Sequence, residues 1–571
     1  MRDAAALIVR DDGSGLAGFL EAKSAAYKDR IALSLFEDGK WRSLTYGEFS
    51  AASLRAARAL ASLGLGHDSR IAILSESRPE WAVAFFGSML SGCTAVLLDP
   101  KLMQGELEAI LADCRPTFIL ASRKSLDMAR TLRDSAGCPI SLLAIDSESD
   151  EPDAPGLLRM DAPPWSWKAP AWSARDTAVL VYTSGTSGRP KGVMTSMSNL
   201  LFQVRTLESQ VELRDDTVFL SILPLNHLLE LTCGMLGVLH AGKTIIYCQS
   251  PYPADIVNCM REKQVTDMVA VPLFLKMLME NVLRQVKAQG KEATFKGALA
   301  FATRLPRALR RLMFRRVLAA FGGKLRGFIS GGAALDPEVA RFFDALGIVV
   351  YQGYGLTETS PVVSCNSTTA NRMGSVGRPL PGVEVKIRRP KGEAGIGLPE
   401  GVGEILTRGP HVMLGYYNRP DLTREAIDMD GWFATGDLGF LDRDGFLHIS
   451  GRSKNLIVLP GGKKVQPEEV EEVLAAMPEV AECCVFGRVC ADGPNRGNEE
   501  VVAVVVPTQA FRDAHPESVI SGAMREAVGN GVAGLTAYKR PSRIHVAGDP
   551  LPKTPSRKIK RADTAKLFAG E

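Results

Sequence analysis

Short apolar runs rich in β-branched residues alternate along the chain with amphipathic segments. Thr94–Leu98 and Thr177–Val181 are apolar runs of strand length, whereas the apolar residues of Tyr46–Leu63 and Gln104–Asp113 recur with helical spacing. Further strand-like runs are Arg70–Leu74, Thr117–Ala121 and Thr244–Tyr247. Because strands that alternate with helices usually pair in parallel, this pattern predicts an α/β fold with layered, largely parallel sheets.

The pattern changes after about residue 375. Short strand-like pieces follow, separated by turn dipeptides such as Asp444-Gly445, and they predict an antiparallel, β-barrel-like subdomain. Beyond a charged connector, the sequence predicts a helix over Pro467–Met477 and a strand over Glu500–Val506. We therefore predict a large N-terminal domain over residues 1–452 and a small, mobile α+β domain over residues 453–571.

The composition is that of an ordinary globular protein. Of 571 residues, 46% are hydrophobic and 23% are charged. The ten cysteines include no C-x-x-C pair, and the seven histidines are too far apart for a zinc-binding helix. The longest uncharged stretch, Ala82–Leu98, is typical of a buried helix that continues into a strand. Since the N-terminus also lacks the pattern of a signal peptide, we expect a soluble, cytoplasmic protein without a transmembrane segment.

Residues 284–326, the basic insert, differ from the rest of the chain in charge. The insert holds twelve Lys and Arg against a single acid, Glu292, with apolar residues interleaved. Two main interpretations stay open, a pair of solvated helices or a basic amphipathic surface that contacts an anionic membrane, with nucleic-acid binding as a third and weaker one. The net charge of the whole chain, +4, is too small to indicate nucleic acid, so we expect no nucleic-acid partner.

A stretch rich in glycine and hydroxyl groups, YTSGTSGRPKG over Tyr182–Gly192, follows one of the predicted strands. Its glycines let backbone N–H groups approach phosphate oxygens, its hydroxyls add donors, and its lysine adds a cation. The groups concerned are Thr183, Ser184, Gly185, Thr186, Ser187, Gly188 and Lys191. The spacing is not that of the Walker loop, but the chemistry predicts a cradle for a triphosphate.

Two motifs nearer the C-terminus offer further groups that suit a nucleotide. Residues 353–359 read GYGLTET, which supplies a ring for a base in Tyr354, a hydroxyl for a phosphate in Thr357 and a carboxylate for Mg²⁺ in Glu358. Asp437 lies on a TGD turn and suits a ribose diol, although a simple turn cap is an alternative. Together these motifs predict a site for ATP and Mg²⁺.

The order and spacing of the motifs resemble those of the adenylate-forming superfamily of acyl-CoA synthetases, firefly luciferases and peptide-synthetase adenylation domains. The motifs are YTSGTSGRPKG, LPLNH (223–227), SGGA (330–333), GYGLTET, TGD (435–437), GRSK (451–454) and PKTPSRK (552–558). The resemblance covers nearly the whole chain. Within the superfamily, LPLNHLLE, the basic insert and the run SGGAALDPEVARFF resemble the bacterial long-chain acyl-CoA synthetases.

The resemblance implies an enzyme that ligates an acid to a thiol in two steps. A carboxylate, here of a fatty acid, attacks the α-phosphate of ATP to give an acyl-AMP, and the thiol of coenzyme A then displaces AMP. Mg²⁺ is the implied cofactor, and coenzyme A is a substrate. Because the nucleophiles come from the substrates, the protein has to position them and to neutralise phosphate charge.

The resemblance also implies roles for single residues. Lys558 is expected to reach the α-phosphate and the substrate carboxylate, Thr357 to bond the α-phosphate and Glu358 to ligate Mg²⁺. His227 is expected where the acyl and thiol tunnels meet, although a core histidine is an alternative. The remaining expected residues are Thr183–Gly188 and Lys191 at pyrophosphate, Gly331, Gly332, Ala333, Tyr354 and Gly355 around the adenine end of ATP, Asp437 and Arg452 at the ribose, Lys454 as the hinge, and Gly461 and Gly462 on the coenzyme A side.

Two positions depart from the family pattern. Arg557 stands where the family usually has Gly before the catalytic lysine, and Met197 stands where a His is common. Neither change removes a group that the first step needs. A ligase that loads an acyl carrier protein, an aryl or short-chain acid–CoA ligase and an inactive nucleotide-binding scaffold stay open as alternatives. The sequence does not indicate the length of the acyl chain. It is also compatible with a homodimer and with a peripheral position at the inner membrane face.

Overall fold

The chain forms two compact units in a computed structural model. The model describes residues 15–146, 151–160, 170–173, 175–183, 190–250, 252–389, 400–459, 464–489, 499–553 and 558–568. The large unit comprises Met1–Glu384 and Arg408–Phe433, and the small unit comprises Val385–Thr407 and Ala434–Glu571. This division groups residues 385–407 and 434–452 with the C-terminal part, so the boundary proposed at residue 452 stays a prediction.

Helices occur throughout both units. They are α1 (Gly15–Tyr27), α2 (Tyr46–Ser62), α3 (Pro79–Leu90), α4 (Gln104–Cys114), α5 (Leu126–Ser135), α6 (Met197–Gln210), α7 (Gly237–His240), α8 (Pro253–Glu262), α9 (Pro272–Ala288), α10 (Glu292–Ala302), α11 (Arg307–Met313), α12 (Arg315–Ala320), α13 (Pro337–Ala345), α14 (Pro420–Ala426), α15 (Pro467–Ala475), α16 (Gln509–Ala514), α17 (Glu517–Gly531) and α18 (Arg561–Leu567). A π-helical segment, Glu230–Leu236, leads into α7.

The strands of the N-terminal part are β1 (Ile31–Glu37), β2 (Lys40–Thr45), β3 (Arg70–Leu74), β4 (Thr94–Leu98), β5 (Phe118–Ala121), β6 (Ser141–Ala144), β7 (Thr177–Thr183), β8 (Lys191–Ser196), β9 (Val218–Ser221), β10 (Thr244–Tyr247), β11 (Asp267–Ala270), β12 (Gly327–Ser330), β13 (Val349–Tyr354), β14 (Ser364–Cys365) and β15 (Arg378–Pro379). Those that follow are β16 (Glu384–Arg388), β17 (Gly403–Arg408), β18 (Gly415–Tyr416), β19 (Phe433–Leu441), β20 (Leu447–Arg452), β21 (Ile457–Val458), β22 (Lys464–Val465), β23 (Val480–Val489), β24 (Glu499–Pro507) and β25 (Arg543–Val546).

Two large sheets build the large unit. One has nine strands in the order β15-β14-β13-β12-β11-β9-β10-β1-β2, and its central strands, from β13 to β1, run parallel. The other has seven strands in the order β18-β8-β7-β4-β3-β5-β6, of which β7, β4, β3, β5 and β6 run parallel. These sheets confirm the predicted class of layered, largely parallel α/β structure.

Helix α3 lies between the two sheets. It contacts β1 of the nine-stranded sheet and β3 and β4 of the seven-stranded sheet, and nearly all of its residues are buried. A helix that is apolar on every face belongs in such an interior position. The helix and β4 together account for the uncharged stretch Ala82–Leu98, as predicted. Among the described helices, none has the length and apolar character that crossing a bilayer requires.

The small unit contains the predicted antiparallel and α+β parts. Strands β16, β17, β19 and β20 form a four-stranded sheet in which β19 and β20 are antiparallel. Strands β23, β24 and β25 form a second sheet, against which α15 and α17 pack through residues such as Val470, Leu474, Met524 and Val528. Arg561 on α18 makes ion pairs with Glu471 and Glu468 of α15, at 2.6 and 3.1 Å, and so ties the last helix to this core.

Candidate functional site

The predicted nucleotide motifs follow neighbouring parallel strands of the nine-stranded sheet. Residues 331–333 come directly after β12, and residues 355–358 come directly after β13, which pairs with β12 in parallel. The LPLNH segment follows β9, which is separated from β12 only by β11. Since ligands of open α/β sheets bind beyond the carboxyl ends of the strands, this edge is a candidate nucleotide site.

Gly355 allows two backbone segments at this edge to approach each other closely, whereas Gly331 borders a leucine side chain. A Cβ atom on Gly355 would lie 1.9 Å from the carbonyl oxygen of Pro361, so only glycine fits there. A Cβ atom on Gly331 would lie 3.4 Å from Cδ2 of Leu229. The side chain of Leu229 therefore borders Gly331, which brings the LPLNHLLE segment beside the SGGA turn. Gly332, with φ of +84°, and Ala333 follow at the exposed end of that turn.

Helix α6 fixes the loop that carries Thr357 and Glu358. The buried Gln203 donates from Nε2 to the carbonyl oxygens of Thr359, at 3.0 Å, and Val362, at 2.7 Å. Buried hydrogen bonds of this kind cost free energy to break, because they leave polar groups without partners. Since α6 begins where β8 ends, the position of the loop is tied directly to the strand that carries Lys191.

The predicted phosphate loop joins β7 to β8, which form an antiparallel hairpin. Thr183 and Lys191 lie opposite each other in the register of this hairpin. Between them, Ser184, Gly185, Thr186, Ser187 and Gly188 lie outside the described residues, so their contacts with phosphate stay a prediction. Lys191 Nζ lies 5.4 Å from the centroid of the Tyr416 ring, a distance at which a cation and an aromatic face attract each other.

Tyr416 also contacts Glu358, the predicted metal ligand. Its hydroxyl donates a hydrogen bond of 2.9 Å to Glu358 Oε1, and the Met413 N–H donates to the Glu358 carbonyl oxygen at 2.9 Å. Burial, together with the nearby Glu358 carboxylate, raises the pKa of Tyr416 well above its ordinary value, so the phenol keeps its proton. Tyr416 was absent from the residues predicted from sequence, and the aromatic pair Tyr416-Tyr417 was the only local signal for it.

A carboxylate in this position fits a magnesium ion. Mg²⁺ is usually bound through one or two carboxylates together with substrate phosphates and water, rather than by a cage of protein ligands. Glu358 is partly exposed on a loop, and across the described ranges its Oε2 atom receives no hydrogen bond. In the same ranges no group of three or more His, Cys, Asp or Glu is placed to hold a metal ion.

Three residues predicted to act on the ribose and α-phosphate lie together in the small unit. Arg452 Nε lies 2.9 Å from Asp437 Oδ1, and the two residues face each other across the β19–β20 pair. Lys558 lies beside this pair. The pKa of Lys558 is lowered, first by the protein atoms around its ammonium group and then by the positive charge of Arg452, whereas Asp437 raises it. Much of the Lys558 side chain is nevertheless exposed to solvent.

The segment that carries Lys558 is anchored on the small unit by Lys553. Lys553 forms an ion pair with Glu482 on β23, and the Lys560 N–H donates to the Pro552 carbonyl oxygen at 2.8 Å. Lys553 therefore has a structural role, whereas the charge of Lys558 lies close enough to Asp437 and Arg452 to be influenced by both.

The remaining predicted residues are only partly placed by the structure. Lys454 lies in the short turn Ser453–Asn455 directly after β20. Gly461, Gly462 and Arg557 lie outside the described residues, so the hinge and the coenzyme A contacts stay predictions. Met197 is 3% exposed in the first turn of α6, which accounts for an apolar residue at this position.

A buried acid follows the partly buried His227 in the LPLNHLLE segment. Glu230 is 0% exposed, and neither of its carboxyl oxygens has a hydrogen-bond partner among the described residues. Burial raises the pKa of Glu230 to about 8, with Ser221 acting in the opposite direction. A Cβ atom on Gly234 would lie 2.5 Å from Glu230 Oε1, so the acid occupies the space that this glycine leaves open. Glu230 is therefore mostly a neutral carboxylic acid at neutral pH.

Two family models match the chain. The model for the AMP-binding enzyme matches residues 20–417, and the model for the AMP-binding enzyme C-terminal domain matches residues 469–558. The first of these covers more than half of the chain. The chain therefore belongs to the family of AMP-binding, adenylate-forming enzymes, which confirms the resemblance inferred from its motifs.

Relatives of the chain differ in the acids and acceptors that their names state. The long-chain-fatty-acid–CoA ligase FadD15 of Mycobacterium bovis is 31% identical over 486 residues, which are 80% of this chain and 78% of that protein. The malonate–CoA ligase of Arabidopsis thaliana is 28% identical, over 97% of this chain and 88% of its own. A chloroplastic long-chain-fatty-acid–acyl-carrier-protein ligase of the same plant, AEE15, is 29% identical, over 81% of this chain and 73% of its own.

Solved structures of similar fold contain nucleotides. The o-succinylbenzoate–CoA synthetase of Bacillus subtilis in complex with ATP and magnesium has a TM-score of 0.74 and 27% identity, over 96% of this chain and 98% of that one. ATP-bound MatB of Rhodopseudomonas palustris has a TM-score of 0.77 and 27% identity over the same shares. These likenesses extend over nearly the whole length of both chains.

Replacing Glu230 by Gln should remove a pH-dependent cost to stability. The folded-state pKa of Glu230, about 8, lies above its ordinary value of about 4.3. At pH values between these two, Glu230 is therefore protonated in the folded protein and ionised in the unfolded chain. Wild-type stability therefore falls as the pH rises through this window. The unfolding free energy of E230Q should not fall in this window. The difference between E230Q and wild type should therefore grow by on the order of 2 kcal/mol from about pH 6 to about pH 8, at about 1.4 kcal/mol per pH unit.

Thermal unfolding of both proteins across that pH range measures the difference. Glu212→Gln, at an exposed glutamate, serves as the matched control and should follow the wild-type profile. Parallel pH profiles for wild type and E230Q would show that Glu230 is not held neutral in the folded protein.

Proposed function

We propose that this protein is an ATP-dependent acid–thiol ligase that activates a long-chain fatty acid and transfers it to coenzyme A. One observation carries the proposal: Tyr416 contacts both Lys191, the predicted phosphate cation, and Glu358, the predicted metal ligand. Tyr416 thus brings together a cation and a carboxylate that are far apart in sequence, and a metal-bound triphosphate needs both groups. Membership of the AMP-binding family supports the same assignment.

The first step joins the acid to AMP. A carboxylate oxygen of the fatty acid attacks the α-phosphorus of ATP, the bond between the α-phosphorus and the bridging oxygen breaks, and pyrophosphate leaves. In this proposal Lys558 and Thr357 stabilise charge at the α-phosphate, and Lys191 and the hairpin hydroxyls hold pyrophosphate. Mg²⁺, when bound at Glu358, would neutralise charge on the phosphate oxygens. Gly331, Gly332, Ala333, Tyr354 and Gly355 would border the adenine end, and Asp437 and Arg452 the ribose.

The second step moves the acyl group to the thiol. The sulfur of coenzyme A attacks the acyl carbonyl carbon, AMP leaves with the electrons of the anhydride bond, and the thiol proton passes to solvent or buffer. His227 would lie where the two substrates meet. Lys454 would act as the hinge that exchanges Lys558 for the segment containing Gly461 and Gly462, and no protein nucleophile is consumed in either step.

Fewer observations support a long-chain fatty acid as the substrate than support the ligase reaction itself. It consists of the likeness to FadD15 and of the LPLNHLLE segment, in which Leu229 borders Gly331 while Leu228 and Leu231 are buried. The likenesses to the malonate ligase and to the carrier-protein ligase AEE15 keep a short-chain acid and a protein acceptor as alternatives.

A panel of acids from acetate to oleate, with aryl acids, separates these alternatives. With ATP and coenzyme A present, we expect AMP release to be fastest with long saturated or monounsaturated acids. The measurement is AMP formation with each acid, with and without coenzyme A. Release that stays slow with coenzyme A but rises with an acyl carrier protein would favour the carrier-protein alternative, and ATP cleavage with no acid at all would contradict the proposal.

Replacing Lys558 by Ala should slow acyl-AMP formation by about 10²–10³-fold, the usual cost of removing a group that stabilises transition-state charge. The second step should be much less affected, because Lys558 is proposed to act on the α-phosphate and the substrate carboxylate in the first step and to leave the site before the second. Pyrophosphate exchange measures the first step, and coenzyme A acylation from supplied acyl-AMP measures the second. Lys560→Ala, which removes a nearby cation on the same segment, is the matched control, and an equal loss in K558A and K560A would contradict a specific role.

The basic insert supports a further proposal, that the protein docks on an anionic membrane surface where fatty acids collect. The insert forms the end of α9 and all of α10, α11 and α12. Arg310 is paired with Asp344 at 2.5 Å, and Arg311 donates to the carbonyl oxygen of Leu325 at 2.6 Å, so these two cations serve the fold. The outward side chains of the insert include Arg304, Arg307, Arg315 and Arg316, together with Phe301, Leu309 and Leu312, which are 52%, 49% and 62% exposed.

Exposed apolar side chains next to cations suit the interface of an anionic bilayer. Wild type should sediment with vesicles of anionic phospholipid and not with neutral ones, and salt should weaken this binding. The double variant R307Q/R315Q should lose on the order of 30-fold in binding, since about 1 kcal/mol is expected per cation near the surface and about 1.4 kcal/mol is tenfold. The double variant L309S/L312S should also bind more weakly, because less apolar surface would enter the interface.

A control removes the same charge elsewhere. The variant K40Q/K101Q loses two exposed lysines outside the insert and should sediment like wild type. Equal binding of wild type to anionic and neutral vesicles at every salt concentration would contradict membrane docking through this surface.

A further inference from the structure

Tyr416 joins two parts of the candidate site that are far apart in sequence. Its hydroxyl donates to Glu358 Oε1 at 2.9 Å, and its ring centroid lies 5.4 Å from Lys191 Nζ. We propose that Tyr416 is a positioning residue, which orients the Glu358 carboxylate for the metal ion and holds Lys191 toward pyrophosphate. The inference rests on the proposed function, and it adds a residue that none of the sequence motifs named.

The structure holds Tyr416 itself firmly in place. Strand β18 pairs with β8, so that Tyr416 lies opposite Val193, two residues beyond Lys191. The Tyr416 N–H donates to Thr423 Oγ1 at 2.9 Å, and only 8% of Tyr416 is exposed. The same strand therefore carries Lys191 and determines where the Tyr416 ring lies.

Glu358 is held from the same segment. The Met413 N–H donates to the Glu358 carbonyl oxygen, so both the backbone and the side chain of Glu358 are bound by residues 413–416. With Oε1 bound to the phenol, rotation of the carboxylate is restricted, and Oε2 receives no hydrogen bond within the described part of the chain. A hydrogen bond that fixes a ligating carboxylate commonly contributes about 10–100-fold to metal affinity or activity.

If Tyr416 served only to pack the core, the expected results would differ. Its ring packs with Val193, Met413 and Phe433 in a small apolar cluster, and a phenylalanine would preserve that packing. If packing were the only role, loss of the hydroxyl would leave the dependence on Mg²⁺ unchanged. The positioning role requires that Tyr416→Phe weaken the metal-dependent part of ATP binding and leave the metal-independent part intact.

The test measures ATP binding by calorimetry in a magnesium series and in EDTA, using the full-length protein. For Y416F we expect the Mg²⁺ concentration at half-saturation to rise about 10–100-fold, with ATP affinity in EDTA within about twofold of wild type. Y417F removes the same hydroxyl from the neighbouring residue and should behave like wild type. Glu358→Gln should show a loss at least as large as Y416F, and the double variant Y416F/E358Q should lose no more than E358Q alone.

The outcomes separate this inference from the function on which it rests. If E358Q retains the wild-type dependence on Mg²⁺, the metal site proposed at Glu358 is wrong. If E358Q loses that dependence while Y416F keeps it, the metal site stands and the positioning role of Tyr416 is overturned. Should Y416F fail to fold, 4-fluorophenylalanine at position 416 fills the same volume without a donor; the same loss of Mg²⁺ dependence is expected, and a wild-type dependence overturns the inference.

Discussion

The large unit depends on buried hydrogen bonds that tie the loop after β13 to helix α6. Gln203 supplies them by donating to the carbonyl oxygens of Thr359 and Val362. The loop belongs to the nine-stranded sheet, whereas α6 continues the hairpin of the seven-stranded sheet. A side chain with 0% exposure cannot replace these partners with water, so the two sheets keep a fixed relation at this point. The positions of Glu358 and Lys191 follow from that constraint.

Charge is distributed differently in the interior and at the candidate site. Glu230 is buried with its pKa raised to about 8, and burial lowers the pKa of His411 to about 4, so both side chains are mostly neutral at neutral pH. Burying an unpaired charge would cost far more than burying a neutral polar group. Glu358 and Lys558, which are proposed to meet substrate, instead keep some exposure, whereas the buried Asp437 is paired with Arg452.

The basic insert illustrates why a count of charges does not define a surface. Twelve cations are evident in the sequence, but Arg310 and Arg311 are used to bind Asp344 and backbone carbonyls. Arg326 likewise pairs with Asp216, at 2.7 Å. Only the packing of the helices distinguishes cations that stabilise the fold from those that remain available to a partner, because periodicity does not reveal which distant carbonyl or acid lies nearby.

The class of the fold and most of the motifs could be predicted from the residues alone. Strands Arg70–Leu74 and Thr94–Leu98 match β3 and β4 residue for residue, since short apolar runs between polar turns have few other ways to bury their side chains. Which motifs meet depends on contacts between segments far apart in the chain. The pairing of β18 with β8 brings Tyr416 to the strand that carries Lys191, a hydrogen bond joins Tyr416 to Glu358, and Lys558 lies near Asp437 and Arg452 within the small unit. Local sequence patterns carry no information about such contacts, because they depend on the register and order of strands that only the complete fold fixes.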